Sequence, residues 1–364
     1  MKIVFQLLLS LASLAYFSCG QVSASTRYEI DPDLGFSTGP SIGEKVPEFS
    51  LPDQHGNVRS LDQLLGKNGA LIYFFTSASF CPNCKLELVE YQKKINEFKA
   101  KGLSVIGISF DPVDVLRSFS DRNNITYSLL SDAGSRVIRR YGIVLRGIPL
   151  NNIWYGVPHP GIYIIDKNLV VLEKHFEKSP DERATVENVL VTYLNKEIKT
   201  NKKTFSTSYL EGSIAISDTV ALSSQVLAII VEMSVKDGVH LYGEPIPAGY
   251  YPLRIQLEPN PNVTLEPWHY PKTRKLVLES INETFNILPN DFDLRSKIRV
   301  AERPKPGSHV IAIKMSFQAC DSKMCMIPKQ LVFEFPLEIK GGTAEEIGEE
   351  AGTERRGSVT KQTH

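Results

Sequence analysis

Four of the five cysteines in this 364-residue chain fall into two close pairs, Cys81 with Cys84 and Cys320 with Cys325. In Cys81-Pro82-Asn83-Cys84 the two intervening residues let a disulfide open and close with little backbone movement. The thiolate is the reactive form of cysteine, and the unpaired N–H groups at a helix N-terminus favour an anion there. Where a strand hands over to a helix, Cys81 is therefore the thiol whose pKa falls. Cys84, one turn on, can then attack a mixed disulfide formed on Cys81. That is the chemistry of thiol–disulfide exchange. A structural disulfide and half of a zinc site are competing readings, but neither explains a strand–helix junction. Cys320 and Cys325 lie in the predicted turn between the last two strands, where a purely structural bridge competes with a second redox pair.

The compartment bears on both pairs. Met1-Lys2 precedes an apolar run from Ile3 to Phe17 and then small residues, the pattern of a secretory signal over residues 1–24. A buried N-terminal helix explains those flanks less well. Val22-Ser23-Ala24 suits a signal peptidase. Ser18-Cys19-Gly20 suits lipoprotein processing with Cys19 lipidated, although Tyr16 fits that pattern poorly. The expectation is an exported protein, periplasmic or held at a membrane only by a lipid anchor at Cys19, in surroundings where disulfides persist.

Lys plus Arg and Asp plus Glu are both 41, with no basic stretch, which argues against a nucleic-acid partner. No apolar run in the body approaches the length of a membrane-spanning helix.

The elements that must position Cys81 and Cys84 alternate. Ala70 to Phe75 is a continuous apolar run suited to a strand buried on both faces. Lys85 to Lys101 carries Leu88, Tyr91, Ile95 and Phe98 at helical spacing and ends at Gly102. Leu103 to Phe110 is the next strand. Helices over Pro112–Asn123 and Ala133–Tyr141 flank a Thr126–Leu130 strand. A hairpin turns at Lys167-Asn168, and a helix over Pro180–Glu197 closes the unit. This alternation predicts a mostly parallel sheet covered by helices.

A linker over 25–39 precedes this domain of 40–196, and a Lys/Thr/Ser-rich linker over 197–208 follows it. Residues 209–340 read as short strands between Pro, Gly and Asn, the pattern of a β-sandwich. Residues 341–364 read as a disordered charged tail.

The first domain resembles the thioredoxin-fold redoxins, the group of AhpC/TSA peroxiredoxins and TlpA-like reductases. The resemblance rests on Gly43 to Leu51 with Asp53 and Gly56, on Phe74 to Glu87, and on Val157 to Asp166. It implies that Pro160 is a cis-proline facing the disulfide and shaping a substrate groove, with His159 flanking that groove. The peroxidatic pattern P-x-x-x-T-x-x-C does not fit. Framed on Cys84 its Pro and Thr positions hold Ser77 and Cys81, and framed on Cys81 they hold Phe74 and Ala78. The position expected for the catalytic Arg, just before the Gly161–Asp166 strand, holds Pro160.

The second domain resembles the DsbD N-terminal family, an immunoglobulin-like sandwich that passes electrons to exported thiol proteins. His240-Leu241-Tyr242, Trp268 to Pro271, and the Ser316–Cys320 and Cys325–Pro328 segments carry that likeness. It implies a second redox role for Cys320 and Cys325.

The expected function is an exported thiol–disulfide oxidoreductase with no metal and no organic cofactor. Its expected partners are exported thiol or disulfide proteins, with a membrane electron donor left open. Exchange between the two pairs, within one chain or with another protein, is expected to benefit from the linker. A thiol peroxidase and a cell-surface binding module with structural disulfides are the alternatives. Sequons at Asn124, Asn262 and Asn282 carry little weight beside these motifs.

Overall fold

The computed structural model describes residues 31, 35–177, 179, 182–278 and 282–340. The expected signal segment with Cys19, most of the 25–39 linker and the 341–364 tail lie outside the described residues.

The first domain begins with β1 (Ser50–Pro52), β2 (Val58–Ser60), α1 (Leu61–Leu64) and β3 (Gly69–Phe74). Then come α2 (Pro82–Lys93), α3 (Ile95–Ala100), β4 (Leu103–Ser109), α4 (Val113–Asn123), β5 (Ser128–Ser131) and α5 (Arg136–Arg140). β6 (Gly161–Ile165), β7 (Val171–Phe176), β8 (Arg183–Ala184) and α6 (Val186–Leu194) follow. The sheet order is β5-β4-β3-β6-β7. β4 lies parallel to β3 and β5, whereas β6 is antiparallel to β3 and β7. The sheet is thus mixed rather than mostly parallel, because the β6–β7 hairpin returns the chain at its edge.

All six residues of β3 are buried, which is why that strand reads as an unbroken apolar run. One face of the sheet packs Leu88, Tyr91 and Phe98 with both Cys81 and Cys84. The other packs Val46, Phe49, Tyr141 and Tyr163.

The second domain opens with β9 (Lys202–Ser206), β10 (Leu210–Ile216), β11 (Val220–Ala221), β12 (Gln225–Val235) and β13 (His240–Leu241). It continues through β14 (Arg254–Leu257), β15 (Val263–Leu265), β16 (Arg274–Leu278), β17 (Glu283–Ile287) and β18 (Asp291–Val300). β19 (Gly307–Phe317), β20 (Ala319–Cys320) and β21 (Lys329–Ile339) end it. One sheet runs β15-β18-β12-β10-β9 and the other β11-β21-β19-β14. Their inner faces enclose one core of alternating apolar residues, including Leu227, Ile229, Val231, Ile311, Ile313 and Phe335.

Part of the stretch expected as a linker is β9, paired with β10 at the edge of this sheet.

The two domains dock. Arg183 and Ala184, expected as helix, instead pair in parallel with Gln225 and Val226 of β12, and α6 starts only at Val186. Asn188 Nδ2 donates to Val226 O at 2.9 Å, and Val191 and Ile198 pack on Ala215 and Ala228. Arg299 of β18 reaches across with Nη1 2.6 Å from Glu182 Oε2 and Nη2 2.8 Å from Glu177 Oε2. Burial alone would raise the Glu177 pKa, but His175, Lys297 and Arg299 outweigh it and hold that carboxyl at about 2.

Candidate redox centres

Cys81 and Cys84 are joined by a disulfide with their Cα atoms 5.3 Å apart. The strand–CxxC–helix placement follows from local chemistry. β3 ends at Phe74, Pro82 takes the first helical position where its missing N–H costs nothing, and Cys81 is the N-cap. Cys81 Sγ accepts the Cys84 N–H at 3.2 Å, so the sulfur occupies the place of an N-cap oxygen. Cys84 is fully buried and Cys81 is 9% exposed, so an incoming group meets Cys81 first. The loop before it is pinned by Asp111, which accepts from Ser77 Oγ and Ala78 N, both at 2.7 Å. Burial raises the Asp111 pKa against those hydrogen bonds.

Behind the disulfide lies a buried polar layer. Glu87, one turn after Cys84, accepts a 2.5 Å hydrogen bond from the Tyr73 hydroxyl, and Arg183 Nε lies 3.4 Å from Glu87 Oε2. Arg183 Nη2 is also 3.8 Å from Cys84 Sγ. Burial lifts the Glu87 pKa to about 7, partly offset by the Arg183 charge and the Tyr73 hydroxyl. Neither Glu87 nor Arg183 was among the residues the sequence singled out. Glu87 was legible in principle, since it falls in the stripe of Cys84, Leu88 and Tyr91 that faces the core. Arg183 gave no such sign.

Pro160 is buried and lines a small cavity with Tyr73, Glu87 and Arg183. It is not the expected cis-proline: among the described residues the cis bond is Glu244–Pro245. The His159 N–H donates to Ile143 O at 2.6 Å and Pro158 bridges to Val144, so the chain enters β6 already extended and a trans bond suffices. His159 does not flank the groove either. Extended chain alternates faces, and the imidazole stacks on Phe36 with centroids 3.6 Å apart, on the side of the sheet away from the cysteines. Burial, with the Arg146 charge, lowers its pKa to about 4.

The second pair is also a disulfide, with Cα atoms 4.0 Å apart. Here the order of exposure is reversed, with Cys320 buried and Cys325 exposed. Cys320 sits against Tyr242, Phe285 and Ile287. The Tyr242 hydroxyl is 3.5 Å from Cys325 Sγ and 3.4 Å from His240 Nε2. Burial pushes the Tyr242 pKa up to about 12. Asp321 Oδ1 accepts the N–H groups of Lys323 and Met324 and shapes the turn between the cysteines.

The two disulfides stand at opposite ends of the sandwich. The first domain meets β12 at Gln225 and Val226, whereas Cys320 pairs with His240 just past the other end of that strand. The nine residue steps from Val226 to Val235, at about 3.3 Å each, make β12 about 30 Å long between those two places.

Two family matches fit this division: residues 42–174 match the AhpC/TSA family, and residues 208–337 match the N-terminal part of the thiol:disulfide interchange protein DsbD. A putative peroxiredoxin of Mycobacterium tuberculosis is 36% identical over 100 residues, which is 28% of this chain and 62% of that protein. The chain thus spans less than two thirds of the first curated relatives it matches. The putative peroxiredoxin bcp of Coxiella burnetii is 30% identical over 130 residues, 36% of this chain and 84% of that protein. A solved structure, peroxidoxin BcpB from Mycobacterium tuberculosis, shares 31% identity, covers 38% of this chain and 88% of its own, and has a TM-score of 0.35. With most of the Coxiella protein matched, and with a strand–CxxC–helix centre in the matching region, the chain belongs to the AhpC/TSA peroxiredoxin family of thiol-dependent oxidoreductases, fused to a DsbD N-terminal-like β-sandwich.

Proposed function

We propose that the protein is an exported, periplasmic thiol–disulfide oxidoreductase whose working pair is Cys81 and Cys84. The observation that carries this reading is the disulfide at the N-terminus of α2, with Cys81 at its edge and Cys84 sealed beneath it beside an acid and a guanidinium. In the reduced protein the Cys81 thiolate attacks a substrate disulfide, forming a Cys81–substrate mixed disulfide and releasing one substrate thiolate. Cys84 then loses its proton to the Glu87 carboxylate, a buried acceptor one helical turn on that shares Arg183 with it. The Cys84 sulfur attacks Cys81 Sγ, restores the protein disulfide and releases the second substrate thiolate. Two electrons pass from the protein pair to the substrate.

The exported and periplasmic setting rests on the DsbD-type domain and the signal-like N-terminus. No helix among the described residues is long and apolar enough to cross a membrane. The second pair is assigned to exchange at Cys325 with a separate thiol protein. Placement at the opposite end of the sandwich from the first pair speaks against exchange between the two pairs within one docked chain.

The names of the relatives favour a second reading, thiol peroxidase, in which Cys81 is oxidised by a hydroperoxide to a sulfenic acid and Cys84 condenses with it, releasing water. Insulin reduction and stopped-flow peroxide oxidation of the full-length protein separate the two. Cys81→Ser should abolish insulin reduction and Cys84→Ala should trap mixed disulfides. Slow oxidation by peroxide beside fast disulfide exchange supports the first reading, and the reverse overturns it.

A further inference from the structure

Arg183 belongs to two structures at once. Its backbone is a strand of the second domain's sheet: the Arg183 N–H donates to Ser224 O at 3.2 Å, and the Thr185 N–H donates to Val226 O at 3.1 Å. Its side chain belongs to the first domain's redox centre, 3.8 Å from Cys84 Sγ and 3.4 Å from Glu87 Oε2. A two-residue strand has no stability of its own. β8 forms because β10 covers β12 only as far as Ile229 and leaves the edge at Gln225 and Val226 open. The neighbouring residue, Glu182, is held by Arg299 from β18, and its carbonyl accepts from Arg183 Nη1 at 2.6 Å. Where the guanidinium sits therefore depends on how the sandwich docks.

We propose that the β-sandwich completes the redox centre of the α/β domain: by pairing with β8 it makes Arg183 a positioning residue for Cys84, so that reduction of Cys81–Cys84 and docking of the two domains are linked. A disulfide sulfur carries no formal charge, whereas a thiolate beside a guanidinium is stabilised by it. Arg183 thus favours the reduced state over the oxidised one. By linkage, a loosened interface makes the pair harder to reduce, and reduction tightens the interface. With glutathione as reductant, two glutathione thiols supply two electrons. One glutathione disulfide and the two protein thiols form, and the Cys84 proton passes to the Glu87 carboxylate as the thiolate settles against Arg183.

This rests on the exchange reading only for its biological sense, because the equilibrium is measured on the sulfurs themselves. The test titrates the full chain in glutathione redox buffer, with dithiothreitol supplying the same constant where glutathione is slow, and follows both cysteine pairs by thiol labelling. Arg183→Met should lower the constant for reduction of Cys81–Cys84 about tenfold, which is about 30 mV for a two-electron couple. Arg183→Lys should recover part of that loss.

Arg299→Met lies in the other domain and contacts carboxylates rather than sulfur, and it should move the constant the same way by a smaller factor. The Cys320–Cys325 constant, unchanged within about twofold, reports that the sandwich is intact. Should Arg299→Met fail to fold, the double variant Glu177→Gln with Glu182→Gln weakens the same cross-domain contacts. A Cys81–Cys84 constant that stays within twofold of wild type in Arg183→Met overturns the positioning role. A constant unmoved by the interface variants overturns the linkage. Insulin reduction surviving in Cys81→Ser would instead refute the exchange reading and leave the measured linkage standing.

Discussion

The Tyr73 hydroxyl donates a 2.5 Å hydrogen bond to Glu87 Oε2 in the buried layer beneath the Cys81–Cys84 disulfide. Tyr73 comes from the central strand β3 and Glu87 from the helix that carries both cysteines, so the bond ties the sheet to the redox helix. It also keeps an acid that titrates near pH 7 one turn from Cys84. Glu87→Gln preserves the shape and removes the base. Resolution of a mixed disulfide on Cys81 should slow by roughly a hundredfold, the scale of one general base, and lose its inflection near neutrality. Single-turnover release of glutathione from the Cys81 mixed disulfide across pH 5 to 9 measures both.

The same carboxyl shapes stability. The folded-state pKa of Glu87 is raised, so between about 4.5 and about 7 the native protein binds a proton that the unfolded chain has lost. Its contribution therefore favours the fold below that window and is lost as pH rises through it. Asp218, raised to about 6 by burial while accepting from Thr185 Oγ1 at 2.7 Å, acts with the same sign from about 3.8 to about 6. Glu177 has the opposite sign: held at about 2, it stabilises above about 4.5 and loses that contribution as pH falls towards 2. Melting curves at pH 5.5 and 7.5 should show Glu87→Gln flattening the decline of stability with rising pH. A slope identical to wild type would place the titration elsewhere.

Much of this was written locally. The Ala70–Phe75 run, the Pro82 start of α2 and the alternating core positions of the last strands are short-range patterns set by burial and capping, and the structure shows elements at those places. Pro160 was placed beside the redox centre by resemblance, but its peptide geometry depends on the contacts of Ile143 and Val144, which sequence spacing does not report. Arg183 lay furthest from view. It is 99 residues from Cys84, in a stretch patterned like the start of a helix, and its strand exists only because a second domain presents an unpaired edge. Tertiary pairing overrode local preference there.

Separation of the two disulfides makes a kinetic prediction. Within one docked chain Cys320–Cys325 lies at the opposite end of the sandwich from the edge where Arg183 reaches Cys84, out of sulfur-to-sulfur contact. Electron transfer from one pair to the other should therefore be bimolecular. Its rate should rise in proportion to protein concentration and vanish at high dilution. A rate independent of concentration would mean that the domains separate and meet again through the 197–208 segment.

Cys81 is bordered by an aromatic group that has no part in the exchange chemistry. Phe80 packs edge-on against Trp154 at 5.3 Å and against Phe110 at 6.1 Å, and the loop that brings in Trp154 exposes Ile153 and Leu150 at 66% and 80%. Exposed apolar side chains on a loop that packs against the residue before Cys81 suit a polypeptide chain better than a small solute. Trp154→Ala should leave reduction of glutathione disulfide within about twofold of wild type, because Cys81 and the buried layer behind it are untouched. The KM for insulin should rise roughly tenfold, the loss of about 1.4 kcal/mol of aromatic contact, with kcat nearly constant. An equal fall for both substrates would instead mean that Trp154 holds the Phe80–Cys81 backbone in place and that the loop does not receive the substrate.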